Sequence, residues 1–259
     1  MRYLICAVLV LLSSVSHAVV NIEAMRDDLS DGLTLNLGLG GELLLGNNDA
    51  FTISPALRLD YKISDEYRAL ALVKYDYGES GDERFKNEGF THLRWTYTSD
   101  RKSTKGFGYE IFTQAQYDTF KSLTLRQLNG VGFRFERSGN EFGFAYGSSV
   151  MSDYERLKEG SEDDLVMRNS TYFSAVWKDY DPNKSKAKRG KYLASFIGYY
   201  QPRFTAPTDF RVLLSAQAER ALLSNVSVLM TTNYLYDSKP PNQVSSHDFK
   251  SIVSLKLTL

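Results

Sequence analysis

The feature that most constrains this chain is a regular alternation of apolar and polar residues in its last two segments. In Val226–Tyr236 the residues at every second position are mostly apolar or aromatic, and those between them are mostly polar. The pattern resumes over Phe249–Leu259, after a turn that Pro240 and Pro241 indicate. A period of two over this length predicts two β-strands, each with one apolar face.

The same alternation recurs along the chain from Leu33 onward, without a helical period of comparable strength. It predicts about twelve strands of roughly ten residues, the length that a tilted strand needs to cross a bilayer. Loops with many charged residues are expected at Gly78–Gly89, Ser152–Asp164 and Asp181–Gly190. The predicted strands are 33–46, 51–62, 67–77, 92–97, 107–117, 123–135, 142–146, 169–178, 191–201, 210–220, 226–236 and 249–259.

Two all-β architectures fit this pattern: a secreted β-sandwich and a transmembrane barrel. The strands of soluble sheets average only about 5–6 residues, whereas these keep an apolar face for their full length. Aromatic residues gather near strand ends, as at Phe51, Tyr61, Tyr67 and Tyr77, in the manner of the interfacial girdles of a barrel. The mean hydropathy of −0.33 is compatible with a barrel, whose inward residues are polar. We therefore predict an all-β, transmembrane antiparallel β-barrel of about 12 strands with up-and-down topology.

The N-terminal segment 1–18 carries Arg2, an apolar run from Tyr3 to Leu12 and small residues before Ala18, which predicts a secretory signal peptide. Segment 19–31 is expected to be either a periplasmic lead-in or a short first strand, and 32–259 the β-barrel. The single cysteine, Cys6, lies inside the signal peptide, so no disulfide framework is expected. Secretion and a barrel together predict localisation in a bacterial outer membrane.

A C-terminal strand that ends on its apolar face is the signal that the barrel assembly machinery of the outer membrane reads. We therefore expect this machinery as a partner, together with outer-membrane lipid, lipopolysaccharide and small solutes or ions. The cluster around Lys184, Lys188 and Arg189 is either a lipopolysaccharide contact or a solvated loop. The chain has 31 basic and 31 acidic residues, and this balance gives no reason to expect nucleic acid.

Three segments carry a family resemblance: the lead-in Val19–Arg26, the glycine-rich strand that ends at Leu45-Gly46-Asn47, and Tyr234–Pro241 followed by His247-Asp248-Phe249. With these motifs the chain resembles the bacterial family called domain of unknown function 481. That family includes proteins described as salt-induced outer-membrane proteins or putative porins. The resemblance implies an outer-membrane barrel and brings no catalytic residues.

The polar positions of the predicted strands should line the lumen, where charges must be paired or hydrated. Arg58, Lys62, Arg68 and Lys74 lie on two strands joined by the turn Ile63–Glu66, which predicts a basic patch along one wall and a modest preference for anions. The candidate lumen-lining residues are Arg58, Asp60, Lys62, Arg68, Lys74, Asp76, His92, Arg94 and Glu110.

Little in the sequence indicates catalysis, a cofactor or a metal. His92 and His247 are far apart and lack metal-ligand spacing, and no nucleophile-elbow pattern accompanies either of them. The acidic segment Ser152–Asp164 lacks the register of a calcium loop. The protein is therefore expected not to be an enzyme, and to need no cofactor or metal.

Three functional hypotheses remain. The first is a passive channel for small solutes or ions, with a link to salt or envelope stress. The second is a structural envelope barrel with a plugged lumen, since about twelve strands fall between the filled eight-stranded barrels and the open porins. The third and weakest is a barrel hydrolase that uses His92.

Overall fold

The computed structural model describes residues 32–44, 49–99, 105–139, 141–158, 164–179, 192–223, 225–240 and 244–258. The signal peptide, the lead-in, the lysine-rich loop at 181–190 and Leu259 lie outside these ranges. Within them the chain forms twelve strands: β1 (Gly32–Leu44), β2 (Ala50–Lys62), β3 (Tyr67–Ser80), β4 (Glu83–Thr98), β5 (Lys105–Asp118), β6 (Leu123–Ser138), β7 (Phe142–Leu157), β8 (Asp164–Lys178), β9 (Tyr192–Arg203), β10 (Ala206–Ala221), β11 (Val226–Asp237) and β12 (His247–Thr258).

Each strand pairs antiparallel with the next, and β12 pairs with β1, so that the sheet closes into an up-and-down barrel. The predicted all-β barrel of about 12 strands is therefore confirmed. The seam between β1 and β12 is short, since it joins only Asn36–Gly40 to Ser254–Thr258. In contrast, β1 pairs with β2 along its whole described length, from Gly32 to Leu44.

The connections divide between two rims. We call the lower rim the end with the β2–β3 turn, 63–66, and the upper rim the end with the β3–β4 turn at Gly81 and Asp82. On the upper rim, the 3-10 helix η1 (Thr119–Lys121) connects β5 to β6, and Asp118 caps it by accepting hydrogen bonds from the backbone N–H groups of Phe120 and Lys121. Gly81 has a φ of +58°, a left-handed conformation that favours glycine in this tight turn.

Two of the three expected loops are shorter than the sequence indicated. The segment Gly78–Gly89 is largely strand, because β3 continues to Ser80 and β4 begins at Glu83. Likewise β7 continues to Leu157, through the acidic segment that was expected to be a loop. The physical reason is that strand ends above the apolar band carry charges on both faces, so the alternation that marks a strand disappears while its backbone pairing continues.

The outer surface is apolar around the barrel. Side chains such as Leu39, Leu93, Ile111, Val131 and Val253 are exposed on it, at positions that alternate with inward-facing ones. This contiguous apolar surface is far larger than a soluble monomer presents, and a bilayer provides the environment that it needs. In the part of the chain that the structure describes, no helix has the length and apolar character needed to cross a membrane.

Aromatic rings border the apolar band at both rims. On the lower rim, Tyr67, Tyr97, Tyr109, Phe107, Phe133 and Tyr146 form a continuous series of ring contacts across β3–β7, with centroids 5.2–6.5 Å apart. On the upper rim, Tyr200, Phe210, Tyr236 and His247 form a second series across β9–β12. Two girdles that flank an apolar band are typical of a membrane barrel.

Two clusters of buried apolar side chains lie on one side of the barrel interior. Leu70, Leu72 and Phe90 form one buried cluster, and Phe112, Leu128 and Met151 form another. These residues project inward from β3–β7. The opposite side, formed by β10–β12 with β1 and β2, carries smaller and more polar inward side chains, and the open space of the lumen lies there.

Candidate functional site: the barrel lumen

An ion-pair network occupies the upper part of the lumen, with Asp153 of β7 at its centre. The Asp153 carboxylate accepts hydrogen bonds from Arg126 at 2.9 Å, Arg168 at 3.1 Å and Arg211 at 2.7 Å. These arginines come from β6, β8 and β10, so one buried carboxylate links strands on a third of the barrel wall.

Further carboxylates complete this network by sharing the same three arginines. Glu155 pairs with Arg126 and Arg211, Asp209 pairs with Arg168, and Asp237 accepts from Arg211 Nε at 2.7 Å. Paired charges of this kind avoid most of the cost of burial, whereas removal of one partner leaves the others uncompensated.

Two lysines bridge the upper lumen between strands that are not neighbours. Lys250 of β12 donates to Asp76 of β3 at 2.9 Å and to Glu88 of β4 at 2.8 Å. Lys121 of η1 pairs with Asp248 of β12. The helix η1 packs against β4 and β6, which lie four and six strand steps from β12 in the closed barrel. The Lys121–Asp248 pair therefore joins parts of the barrel mouth that are not adjacent in the sheet.

A second polar chain lies nearer the lower rim. Arg134 Nη1 donates to the Tyr172 hydroxyl at 2.8 Å, and that hydroxyl donates to Glu110 Oε2 at 2.9 Å. Arg94 Nη1 also donates to Glu110, at 3.3 Å. Space for the Tyr172 ring exists because residue 147 is glycine: a Cβ there would lie 2.4 Å from the ring.

The structure places the predicted lumen residues as follows. Arg58, Asp60, Asp76, His92, Arg94 and Glu110 are buried, and Lys62, Arg68 and Lys74 are partly buried. Arg58 donates twice to Asp60, at 2.6 and 2.8 Å, and Lys62 pairs with Asp65 at 3.0 Å. The predicted basic patch is thus neutralised in part by acids on its own wall.

His92 lies in the filled half of the lumen, stacked between two phenylalanines. Its ring centroid is 6.4 Å from that of Phe90 and 6.0 Å from that of Phe112. A general base needs an approach for substrate and a nucleophile within reach. The packing of His92 between two rings is that of an interior side chain.

The residues that dominate the lumen were not among the predicted site residues. Asp153 and Glu155 were assigned to an acidic loop, although both project inward from β7. Arg168 precedes the segment that the alternation marked as strand. The alternation itself contains a signal for these residues. Asp153 and Arg168 occupy the same polar, inward positions as the rest of their strands, but closer to the upper rim.

The open space of the lumen consists of small cavities. One of about 130 Å³ lies between β1–β3 and β10–β12, and its lining includes Arg58, Lys74, Asn233 and Lys256. Another of about 60 Å³ lies beside His92, Glu110 and Tyr172 in the filled half. A third of about 10 Å³ lies between Lys74, Asp76 and Glu88, below the Lys250 bridge. The cavity of about 130 Å³ lies on the β10–β3 side and the cavity of about 10 Å³ on the β3–β6 side, and Lys74 contributes to the lining of both.

No family model matches the chain, and no curated protein matches it either. Several solved structures are similar to it. The chain is similar to the NanC porin, with 10% identity, a TM-score of 0.48 and coverage of 87% of this chain and 98% of that one. It is similar to the KdgM porin, with 8% identity, a TM-score of 0.44 and coverage of 86% and 98%. It is also similar to the translocator domain of the autotransporter NalP from Neisseria meningitidis, with 10% identity, a TM-score of 0.44 and coverage of 89% and 90%.

Proposed function

We propose that this protein is an outer-membrane β-barrel that acts as a narrow, gated channel for small ions and solutes. One observation carries the proposal: the lumen keeps open space between β1–β3 and β10–β12, and side-chain ion pairs bridge the upper mouth of the barrel. Among the described residues, the elements that cross this mouth are lysine side chains and the short helix η1. Such elements can move without unfolding the wall.

The proposed location rests on the outer surface and the predicted signal peptide. The apolar band and the two aromatic girdles fit a bilayer, and secretion would deliver the chain to the outer membrane. In that setting lipopolysaccharide and the barrel assembly machinery are the expected partners. The proposal predicts that the protein fractionates with the outer membrane and needs detergent for extraction.

The gate is proposed to open by exchange of the lysine ion pairs for hydration. Lys250 is held by two carboxylates and has Lys86 nearby, 3.7 Å from Glu88 and 4.0 Å from Asp76. Lys86 can therefore take over part of the acid pair when Lys250 swings away. In a partly hydrated site such an exchange costs far less than the transfer of a bare charge into an apolar core.

Planar-bilayer recordings of the refolded protein test the channel. Wild-type protein should show low conductance with brief openings, and the double variant Lys121→Met with Lys250→Met should show higher conductance and longer openings. Lys158→Met removes an exposed charge from the same rim and serves as the matched control, with wild-type behaviour expected. A double variant that is folded and silent under all conditions would refute the gated channel.

A structural envelope barrel with a closed lumen is the second candidate. The observation that favours it is the apolar filling around Phe90, Phe112 and Met151 together with the cross-lumen ion pairs, which are arranged as in a packed core. Under this hypothesis wild-type and variant proteins are equally silent in bilayers. Loss of the protein would instead weaken the cell envelope, for example by raising sensitivity to detergent.

The link to salt or envelope stress rests on the family resemblance and is proposed on that ground alone. It predicts that the amount of protein in the outer membrane rises after a shift to high salt. A quantitative immunoblot of outer-membrane fractions tests this, and an unchanged level would remove the link. The stacking of His92 between Phe90 and Phe112 does not favour a hydrolase that uses this residue.

A further inference from the structure

The larger lumen cavity has a lining of one charge sign. Three cationic residues, Arg58, Lys74 and Lys256, contribute to it, and no acidic residue does. The remaining polar lining consists of amides and hydroxyls, which can donate hydrogen bonds. A cavity with this lining presents donors and positive charge to whatever occupies it.

The cations differ in how they are compensated. Arg58 is paired with Asp60 at 2.6 Å, and Lys256 is paired with Glu219 at 2.7 Å, so each forms a neutral unit at the cavity edge. Lys74 makes no ion pair within 4.0 Å with any residue in the ranges that the structure describes. The acids above it, Asp76 and Glu88, are bonded to Lys250. Asp76 and Glu88 attract Lys74 from a longer distance, but Lys250 and Lys86 share the same two acids. Three lysines and two acids leave this group with a surplus of one positive charge beside the cavity.

Asn233 gives a second, independent indication of a ligand. Its side chain is only 2% exposed and lines the same cavity, and its Oδ1 atom has no hydrogen-bond partner in the described part of the chain. Buried amides are normally hydrogen-bonded. Because the oxygen and nitrogen of an amide exchange places by a half-turn, Asn233 can present its NH2 group to an occupant of the cavity.

The opposite wall of the cavity is built from small residues. Gly38 and Gly40 of β1 face Ser54 and Ala56 of β2, and a Cβ at Gly40 would already approach Ile252 to 3.3 Å. The cavity volume of about 130 Å³ is well above the roughly 10–15 Å³ that one water needs by the same measure. It accommodates a halide with some of its water, and gluconate, a six-carbon polyol carboxylate, serves as the larger comparison anion.

We propose that this cavity binds a small monovalent anion of the halide class between Lys74 and the amide of Asn233. The anion would neutralise Lys74 and provide Asn233 with its missing partner. The inference deepens the proposed channel function and rests on it only for the route of entry. If the protein is a channel, this cavity is an anion-binding site in the lumen, close to the ion pairs of Lys250.

Binding can be measured without conduction. The refolded protein is unfolded with urea in sodium bromide and in sodium gluconate of equal ionic strength, and the difference between the two midpoints is the readout. A ligand that binds only the folded state raises the midpoint. Wild-type protein should be more stable in bromide, and Lys74→Met should lose more than half of that difference.

Two further variants separate the site from general salt effects. Ala56→Leu fills the cavity while it keeps all three cations, and it should also lose the bromide effect. Lys62→Met removes a cation outside the cavity and should keep the effect at the wild-type size. Crystals soaked in bromide should show an anomalous peak within hydrogen-bond distance of Lys74 Nζ.

The outcomes distinguish this proposal from the channel. An equal bromide effect in wild-type protein and Lys74→Met, or a bromide-soaked crystal without a peak in the cavity, would overturn the anion site. A bromide effect that depends on Lys74 in a protein without conductance would support the site and reject the channel. Conductance in the absence of any such effect would reject the site alone.

Discussion

Lys121 and Asp248 form an ion pair across the barrel mouth. Lys121 belongs to the 3-10 helix between β5 and β6, which packs on β4, and Asp248 lies at the start of β12, four strand steps from β4. A contact of this span fixes the shape of the mouth, because it restrains strands that share no backbone hydrogen bond. The pair therefore stabilises the shape of the mouth and also narrows its opening.

Because Asp153 pairs with three arginines, removal of its negative charge should strongly lower the stability of the barrel. Asp153→Asn keeps the size of the side chain but removes the charge that Arg126, Arg168 and Arg211 share. We expect the free energy of unfolding to fall by about 3 kcal/mol, the lower end for a broken buried pair, because Glu155, Asp209 and Asp237 remain. Urea unfolding in detergent measures it. Asp82→Asn, in the exposed β3–β4 turn, should change stability by less than about 0.5 kcal/mol.

The outward position of Leu255 predicts a failure of assembly when it is charged. Leu255 is 55% exposed on the apolar band, and an arginine at mid-membrane costs about 2–4 kcal/mol. We expect Leu255→Arg to lower the folded fraction, seen as loss of the fast-migrating band on an unheated gel, while Leu255→Phe keeps that band. A folded fraction equal to wild type in Leu255→Arg would place this face away from lipid.

Lys256, the inward neighbour of Leu255, contributes to stability through an ion pair. Its Nζ donates to Glu219 at 2.7 Å, so Lys256→Leu leaves a buried carboxylate without this partner. We expect a lower urea midpoint in the single variant and partial recovery in the double variant Lys256→Leu with Glu219→Gln. If the double variant is as unstable as the sum of the two single changes, the pair contributes no coupling.

The close approach of Gly147 to Tyr172 predicts that one methyl group disturbs the lower polar chain. In Gly147→Ala the new Cβ would lie 2.4–2.7 Å from Tyr172 ring and hydroxyl atoms, so the ring must shift away from Glu110 and Arg134. Overpacking of this kind costs about 1–3 kcal/mol. Gly38→Ala is the matched control, since its Cβ would lie 3.4 Å from Ala56 Cβ. Addition of Tyr172→Leu should recover part of the loss.

The architecture was predictable because it depends on local, periodic information. The alternation in segments such as Phe51–Lys62 records which residues meet lipid and which meet the lumen, and the number of such segments gives the strand count. Strand ends were less predictable. Above the apolar band both faces meet water, so the pattern that identified β3 and β7 stopped before their backbone pairing did.

The interior network could not be predicted from the sequence in the same way. Which lysine meets which acid across the lumen depends on the closure of the ring and the stagger of strands far apart in the chain. Lys250 and Asp76 are bonded although β1 and β2 lie between their strands. The phase of the alternation predicts inward charges such as Arg58 and Glu110, whereas Asp153 lies in a segment whose many charges predict a loop.

The short seam between β1 and β12 makes the wall of the barrel unequal in strength around its circumference. The ladder there ends at Gly40 and Ser254, and it is the shortest of the strand pairings in the described barrel. Fluctuations that separate neighbouring strands therefore start along this line, next to the cavity that Gly38 and Gly40 border. Backbone amides of β12 that face β1 should exchange with deuterium before those of β6 and β7, which pair along almost their full length. The β1–β12 pairing that closes the barrel is thus also the pairing with the fewest backbone partners.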